Sequence, residues 1–284
     1  MTTRTAFVFA GGGSLGAVEV GMLRELVRAQ VRPDFVVGAS AGAINAAFFA
    51  GAPHAEGVAA LQALWCNIRR RDVMPFAFMS LFRILTGRQE HLVSNGALRQ
   101  LLRRSLDYRA IEDSVLPLHV VASERVTGAE VVLSRGPVVE AVLASSAIPG
   151  VFPPVVIEGR ELVDGGVCSN TPIAAAVQLG ATDIVVLPAG FACALQSPPR
   201  GWIGQSLHAL SLVVARQLVH DMAHFSSRVR ICVVPALCPL EVSSYDYGHC
   251  AALIERAAST TRTWLDGGGL QAAANPGPLV FHTH

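Results

Sequence analysis

Phe35-Val36-Val37-Gly38-Ala39-Ser40-Ala41-Gly42-Ala43-Ile44-Asn45-Ala46-Ala47 passes from a β-branched apolar run to small, helix-forming residues, with a serine at the change. Strand, sharp turn and helix in that order make a βα unit and put the chain in the α/β class. Glycine at 38 and 42 removes the side chains that would crowd the bend, so Gly38-Ala39-Ser40-Ala41-Gly42 reads as a nucleophile elbow exposing the Ser40 hydroxyl. The following helix turns its N-terminus toward Ser40, where unpaired N–H groups favour developing negative charge. An incidental serine in a glycine-rich βα turn would look the same, so Ser40 needs partners from elsewhere in the chain.

Upstream, Thr5 to Phe9 reads as a first strand, and Gly11-Gly12-Gly13-Ser14-Leu15-Gly16 leads from it into a helix ending near Arg28. Gly11, Gly13 and Gly16 also satisfy the dinucleotide-binding spacing, but that fold needs an acidic residue at the end of the second strand. Gly38-Ala39-Ser40 stands there, and Asp34 precedes the strand, at the wrong edge of the sheet. A loop rich in N–H donors one strand away from Ser40 suits an oxyanion better, with Gly12 and Gly13 the preferred donors of the set Gly11, Gly12, Gly13 and Ser14.

Further strands are expected at 34–37, 118–122, 130–133, 155–157, 183–187 and 229–234, and helices at 58–69, 95–105, 138–145, 171–179, 204–225 and 248–265. Strands alternating with helices predict a three-layer α/β/α fold on a mainly parallel central sheet. One domain over 1–284 is expected, with a motif-bearing core at 5–190, a helical part at 200–265 and a loose tail at 266–284 in which His282 and His284 are expected to be unstructured. Gln196 to Arg200 reads as a loop.

The chain has 284 residues, 51% hydrophobic and 15% charged, enough to bury a large core. A net charge of +1, with scattered arginines, argues against a nucleic-acid partner. All 22 basic residues are arginine. Without lysine there is no Schiff base, no Walker-type phosphate lysine and no Ser-x-x-Lys hydrolase. Cys66, Cys168, Cys193, Cys232, Cys238 and Cys250 lack Cys-x-x-Cys spacing and are expected as buried reduced thiols. Residues 1–10 do not make a signal peptide, and the uncharged run 35–53 is better read as strand plus helix than as a membrane span, so a cytoplasmic chain is expected. His220 and His224 share a helix face at zinc spacing, but no third ligand can be pointed to, and no metal or cofactor is expected.

A base for Ser40 has two candidates. His249, in Tyr245-Asp246-Tyr247-Gly248-His249, opens a helix with an apolar face, which favours a cap or packing role. Asp164, in Leu162-Val163-Asp164-Gly165-Gly166, follows a hairpin-like stretch from Val155 to Val163 and is, by itself, a turn signal.

Taken together, the Gly-Gly-Gly-x-x-Gly loop, the Gly-x-Ser-x-Gly serine, the Asp-Gly-Gly aspartate and the segment Ala144-Ser145-Ser146-Ala147-Ile148-Pro149-Gly150-Val151-Phe152-Pro153-Pro154 resemble the patatin-like phospholipase family over about residues 5 to 190. The resemblance implies a lipid acyl hydrolase of phospholipase A or lysophospholipase type using a Ser-Asp dyad. Ser40 is then the acyl nucleophile and Asp164 the base, with Gly165 and Gly166 letting the loop approach. An aspartate must be desolvated to serve as that base at neutral pH. Leu15 stands where many members carry Arg or Lys, which leaves the backbone donors without an added cation. Met74-Pro75-Phe76-Ala77-Phe78-Met79-Ser80-Leu81-Phe82-Arg83-Ile84-Leu85, preceded by Arg69-Arg70-Arg71, is expected to meet the acyl chain, with 69–87 resting on an anionic membrane surface. The rival readings are a non-catalytic lipid- or protein-binding module of the same fold and a general carboxylesterase with a late histidine. Oligomeric state is open.

Overall fold

The computed structural model describes residues 3–73, 91–190, 201–238, 240 and 242–271; the side chains at 202–204 and 206–208 lie outside that description. The apolar run 74–85, most of the 69–87 surface, Cys193, the loop 196–200 and the tail beyond 271, with His282 and His284, also lie outside the described residues.

The strands are β1 (Thr5–Phe9), β2 (Phe35–Ala39), β3 (Leu118–Glu124), β4 (Glu130–Leu133), β5 (Val155–Ile157), β6 (Arg160–Asp164), β7 (Asp183–Leu187) and β8 (Arg230–Val233). They form an eight-stranded sheet in the order β5-β6-β3-β2-β1-β7-β8, with β4 also on β3. Strands β3, β2, β1, β7 and β8 are parallel to one another, and β4, β5 and β6 pair antiparallel. The order reverses at β1, which has β2 on one side and β7 on the other. Crevices at the carboxyl ends of strands flanking such a point are the usual ligand sites of α/β sheets.

Parallel strands are covered on both faces, so they read as continuous apolar runs. In β1 every residue from Ala6 to Phe9 is fully buried. Phe7 and Phe9 join the core under α1 (Gly16–Arg28), α2 (Ala41–Gly51), α3 (Ala55–Asn67), α5 (Gly96–Ser105), α6 (Val138–Ser145) and α9 (Cys250–Asp266); a short α4 spans Arg70–Val73. Ala6 and Val8 join the opposite core under α7 (Ile173–Gln178) and α8 (Gly201–Phe225). This is the three-layer architecture expected from the sequence. Among the described residues no helix is long and apolar enough to cross a membrane.

Several element boundaries differ from the sequence reading by one to three residues, that of β2 for a clear physical reason. Asp34 stays out of β2 because its carboxylate accepts the Thr5 N–H at 2.6 Å, capping the amino edge of the sheet, and β2 runs on to Ala39 instead. The stretch after Val155 resolves into a β5–β6 hairpin whose two-residue turn, Glu158-Gly159, has φ of +50° and +78°. That is the primed geometry matching strand twist, and it sets the register of β6.

The register around β3 is what joins the two ends of the site. Val121 pairs with Ala39 of β2 and with Val132 of β4, while Ala122 pairs with Asp164 of β6 and with Val131 of β4. Each residue has only two edges, so β4 holds one edge of β3 from Val120 to Ser123. The other edge passes from β2 to β6 between Val121 and Ala122. Asp164 therefore follows Ala39 along one line of the sheet.

Helix α2 lies so close over β1 that a Cβ on Gly42 would run into the Phe9 and Ala10 carbonyls. Backbone cannot yield as a side chain end does. Gly42→Ala is therefore expected to cost about 3 kcal/mol, measured by urea unfolding, and to lower activity by displacing Ser40. At the far end, the buried Glu25 of α1 accepts from Arg262 of α9 at 2.9 and 3.1 Å and from Arg28 at 2.7 Å. The Arg262 bonds hold the Glu25 carboxyl below its ordinary range. This cross-link seats α9, and with it the residues that precede α9, against the carboxyl edge of the sheet.

Candidate active site

Ser40 occupies φ +54°, ψ −124°, a backbone conformation that few non-glycine residues adopt. Such strain persists only where neighbours over-determine it, and here the neighbours are specific. The buried Ser145, at the end of α6, accepts the Ser40 N–H at 2.9 Å and donates to the Val121 carbonyl at 2.5 Å. Ser146 donates to the Ser40 carbonyl at 3.3 Å. Ser145 thus ties the elbow to β3. Ser145→Ala leaves a buried N–H unpaired, and a stability loss of about 1–3 kcal/mol is expected in denaturant unfolding, with a tenfold or so lower turnover.

The Ser40 hydroxyl donates to Asp164 Oδ2 at 2.7 Å, across 124 positions of sequence. The other carboxylate oxygen, Oδ1, accepts the Gly166 N–H at 2.7 Å. Ser123 donates to the Asp164 carbonyl at 2.8 Å, anchoring the strand end from β3. The Asp164 side chain is almost fully buried, and desolvation raises its pKa to about 6 against the pull of the Ser40 and Gly166 bonds. Desolvation wins because two hydrogen bonds replace only part of a carboxylate's lost hydration.

The glycine loop follows β1 toward the same edge. The Gly11 N–H is engaged by the Asn170 carbonyl at 2.8 Å, and the Ser14 N–H by the Ser244 carbonyl at 2.8 Å. Those two groups are therefore removed from the expected donor set, being satisfied within the fold. Among the described residues no acceptor is bonded to the Gly12 or Gly13 N–H. Both glycines line the cavity that holds Ser40 and Asp164. Gly13 has φ +59°, and a Cβ there would strike the Ser244 carbonyl. The loop is clamped from outside: Asn170 Nδ2 donates to the Gly11 carbonyl at 3.0 Å, and Ser14 Oγ to the Ser243 carbonyl at 3.1 Å.

The other sequence candidates lie apart. His249 is half exposed and pairs with Asp246 at 3.4 Å, outside the residues lining the cavity. It sits at the start of α9 without a capping bond from its side chain. His220 and His224 stack at 6.3 Å on α8, and among the described residues no group of three metal-binding side chains gathers. The cysteine expectation needs correction: Cys66 and Cys238 are exposed, while Cys232 and Cys250 are buried and Cys168 is half-buried. Cys66 is turned to solvent by its place on the outer face of α3.

Sequence reasoning missed Asn170 and the clamping role of Ser243 and Ser244. Asn170 had a readable signal as a polar residue in Ser169-Asn170-Thr171-Pro172, shortly after Asp164-Gly165-Gly166. Ser243 and Ser244 had none, because they act through backbone carbonyls.

A family model described as patatin-like phospholipase matches residues 7–177. An uncharacterized NTE family protein of Mycobacterium tuberculosis is 32% identical over 166 residues, covering 58% of this chain and 27% of that protein. Patatin-like phospholipase domain-containing protein 7 of Rattus norvegicus is 27% identical over 187 residues, covering 65% of this chain and 13% of that one. The chain thus spans well under half the length of these curated relatives. Among solved structures, human GIVD cytosolic phospholipase A2 in complex with methyl gamma-linolenyl fluorophosphonate superposes with a TM-score of 0.50 at 14% identity, over 95% of this chain and 58% of that one; the likeness is one of fold. The match over 7–177 takes in the elbow, the glycine loop and Asp164-Gly165-Gly166, and the chain belongs to the patatin-like phospholipase family.

Proposed function

We propose that the chain is a serine acyl hydrolase that cleaves carboxylic esters of lipids through a Ser40–Asp164 dyad. The observation that carries this reading is the 2.7 Å hydrogen bond from Ser40 Oγ to a buried Asp164 carboxylate. Ser40 Oγ attacks the ester carbonyl carbon while Asp164 Oδ2 takes its proton. The carbonyl oxygen becomes an oxyanion held by the Gly12 and Gly13 N–H groups, with the N-terminus of α2 adding its positive end. Collapse of the tetrahedral intermediate breaks the carbon–oxygen bond, and the departing alcohol takes the proton from Asp164. Water then attacks the Ser40 ester, giving its proton to Asp164, and the acid leaves as Ser40 is reprotonated. The Gly166 N–H keeps Oδ1 occupied, so Oδ2 faces the serine in every step.

Burial supports the base assignment. A carboxylate near its ordinary pKa of about 4 would be a poor acceptor from a serine, and a value of about 6 brings it closer to the working pH. The exposed arginines at 69–71 support the part of the reading in which 69–87 meets an anionic lipid surface.

A fluorophosphonate probe tests the reading. Peptide mass mapping is expected to find the adduct on Ser40, with adduct formation lost in Asp164→Asn. An unlabelled Ser40 in folded protein would leave the non-catalytic binding module as the reading.

A further inference from the structure

Two cavities open from Ser40 in different directions. The larger, about 440 Å³, takes in Asp164, Gly12, Leu15 and Val167 and is walled by Leu210, Val214 and Leu218 of α8. The smaller, about 50 Å³, is walled by Ile44, Trp65, Ile68, Leu98, Phe152 and Tyr247. They share Ser40, Gly13, Ile148, Ser244 and Tyr245. An ester bound at Ser40 has two arms, and two cavities diverge from the reacting atom.

The proton's route decides which arm goes where. Asp164, having taken the Ser40 proton, must hand it to the alcohol oxygen, so that oxygen lies on the Asp164 side of the serine. Asp164 and Gly12 line the larger cavity and not the smaller. The alcohol arm then lies under α8 and the acyl arm runs toward Trp65 and Phe152.

The chemistry of the linings bears on the class of substrate. Among the described residues lining either cavity, Asp164 is the only charged side chain. None of these described residues neutralises a phosphate, and an ionised Asp164 repels one. An anionic group placed in such a lining loses its hydration without gaining a partner. The polar groups present are backbone N–H groups and uncharged side chains such as Asn170, Thr171 and Ser211.

We propose that the substrate is an uncharged ester whose alcohol arm is itself apolar and lies in the α8 cavity, with the acyl arm in the Trp65–Phe152 cleft. This rests on the Ser40–Asp164 reading and goes beyond it in naming the charge of the substrate and the seat of each arm.

The test follows acylation and deacylation separately by rapid mixing. Butanoate esters of straight-chain alcohols are expected to gain about fourfold in kcat/KM per methylene added to the alcohol, as apolar burial predicts, until the cavity fills. A phosphate monoester at the far end of the same alcohol is expected to lower it at least tenfold. Leu210→Trp, at an exposed position that tolerates a large side chain, narrows the larger cavity; it is expected to slow acylation by long-alcohol esters about tenfold and leave deacylation unchanged. The acyl-enzyme no longer carries the alcohol arm. Slowed deacylation, or a changed acyl-length preference, in Leu210→Trp would overturn the assignment of arms. Equal or better turnover of the phosphate-bearing ester would overturn the uncharged-substrate proposal. Each outcome is read in protein whose Ser40 takes the fluorophosphonate, and failure of that labelling marks the dyad reading itself as wrong.

Discussion

Replacing Ser40 by Ala or Asp164 by Asn lowers kcat/KM for a p-nitrophenyl ester by about a thousandfold or more. The double variant is no worse than the poorer single one, because the two side chains act on the same proton and neither works without the other. The size of the Asp164 effect follows from the site. In Asp164→Asn the new side chain can still hold the Gly166 N–H through its carbonyl oxygen, so the geometry survives, but its amide donates toward Ser40 Oγ where the carboxylate accepted. Steady-state kinetics on the three variants, with circular dichroism to verify folding, decides the matter. Asp164→Asn activity above a tenth of wild type would sink the dyad, and a still larger loss in His249→Ala would transfer the base role to the late histidine.

The second large effect couples activity to stability through pH. Burial raises the Asp164 pKa from 3.8 to about 6, so between those values the folded protein holds a proton that the unfolded chain has lost. Unfolding stability falls as pH rises through that window, and above about pH 6 the full penalty stands at about 3 kcal/mol. Asp164→Asn removes the penalty. The variant is expected to match or fall below wild type at pH 4 and to gain about 2–3 kcal/mol on it between pH 4 and pH 8, read from urea midpoints of both proteins across that range. Activity runs the other way: kcat/KM of the wild type rises about tenfold per pH unit up to about 6 and is flat above. A variant whose stability tracked wild type at every pH would mean that the carboxylate is hydrated in the folded state.

Much of the architecture was readable from local pattern. The strand at Thr5–Phe9, the strand at Asp183–Leu187 and the helix at Val138–Ser145 lie where apolar period and flanking residues put them. Gly38 to Gly42 announced the elbow because a sharp strand-to-helix turn demands small residues locally. Asp164 was a different case. Its turn-forming glycines were local, but its place beside Ser40 depends on β6 taking over an edge of β3 from β2, a choice made by long-range pairing. Only the combination of motifs pointed to it. The fate of individual N–H groups in the glycine loop was out of reach for the same reason: Gly11 and Ser14 are spent on Asn170 and Ser244, far along the chain.

The handover on β3 also makes turnover a clock for folding. Helices α1 and α2 can form from neighbours in sequence, whereas the Ser40–Asp164 contact needs β2, β3 and β6 all in native register, across 124 positions. A slip of one residue in β6 would turn Asp164 to the other face of the sheet. In refolding from urea, far-ultraviolet signal is therefore expected to recover first, and the ability of Ser40 to react with a fluorophosphonate to return only with the last strand pairing.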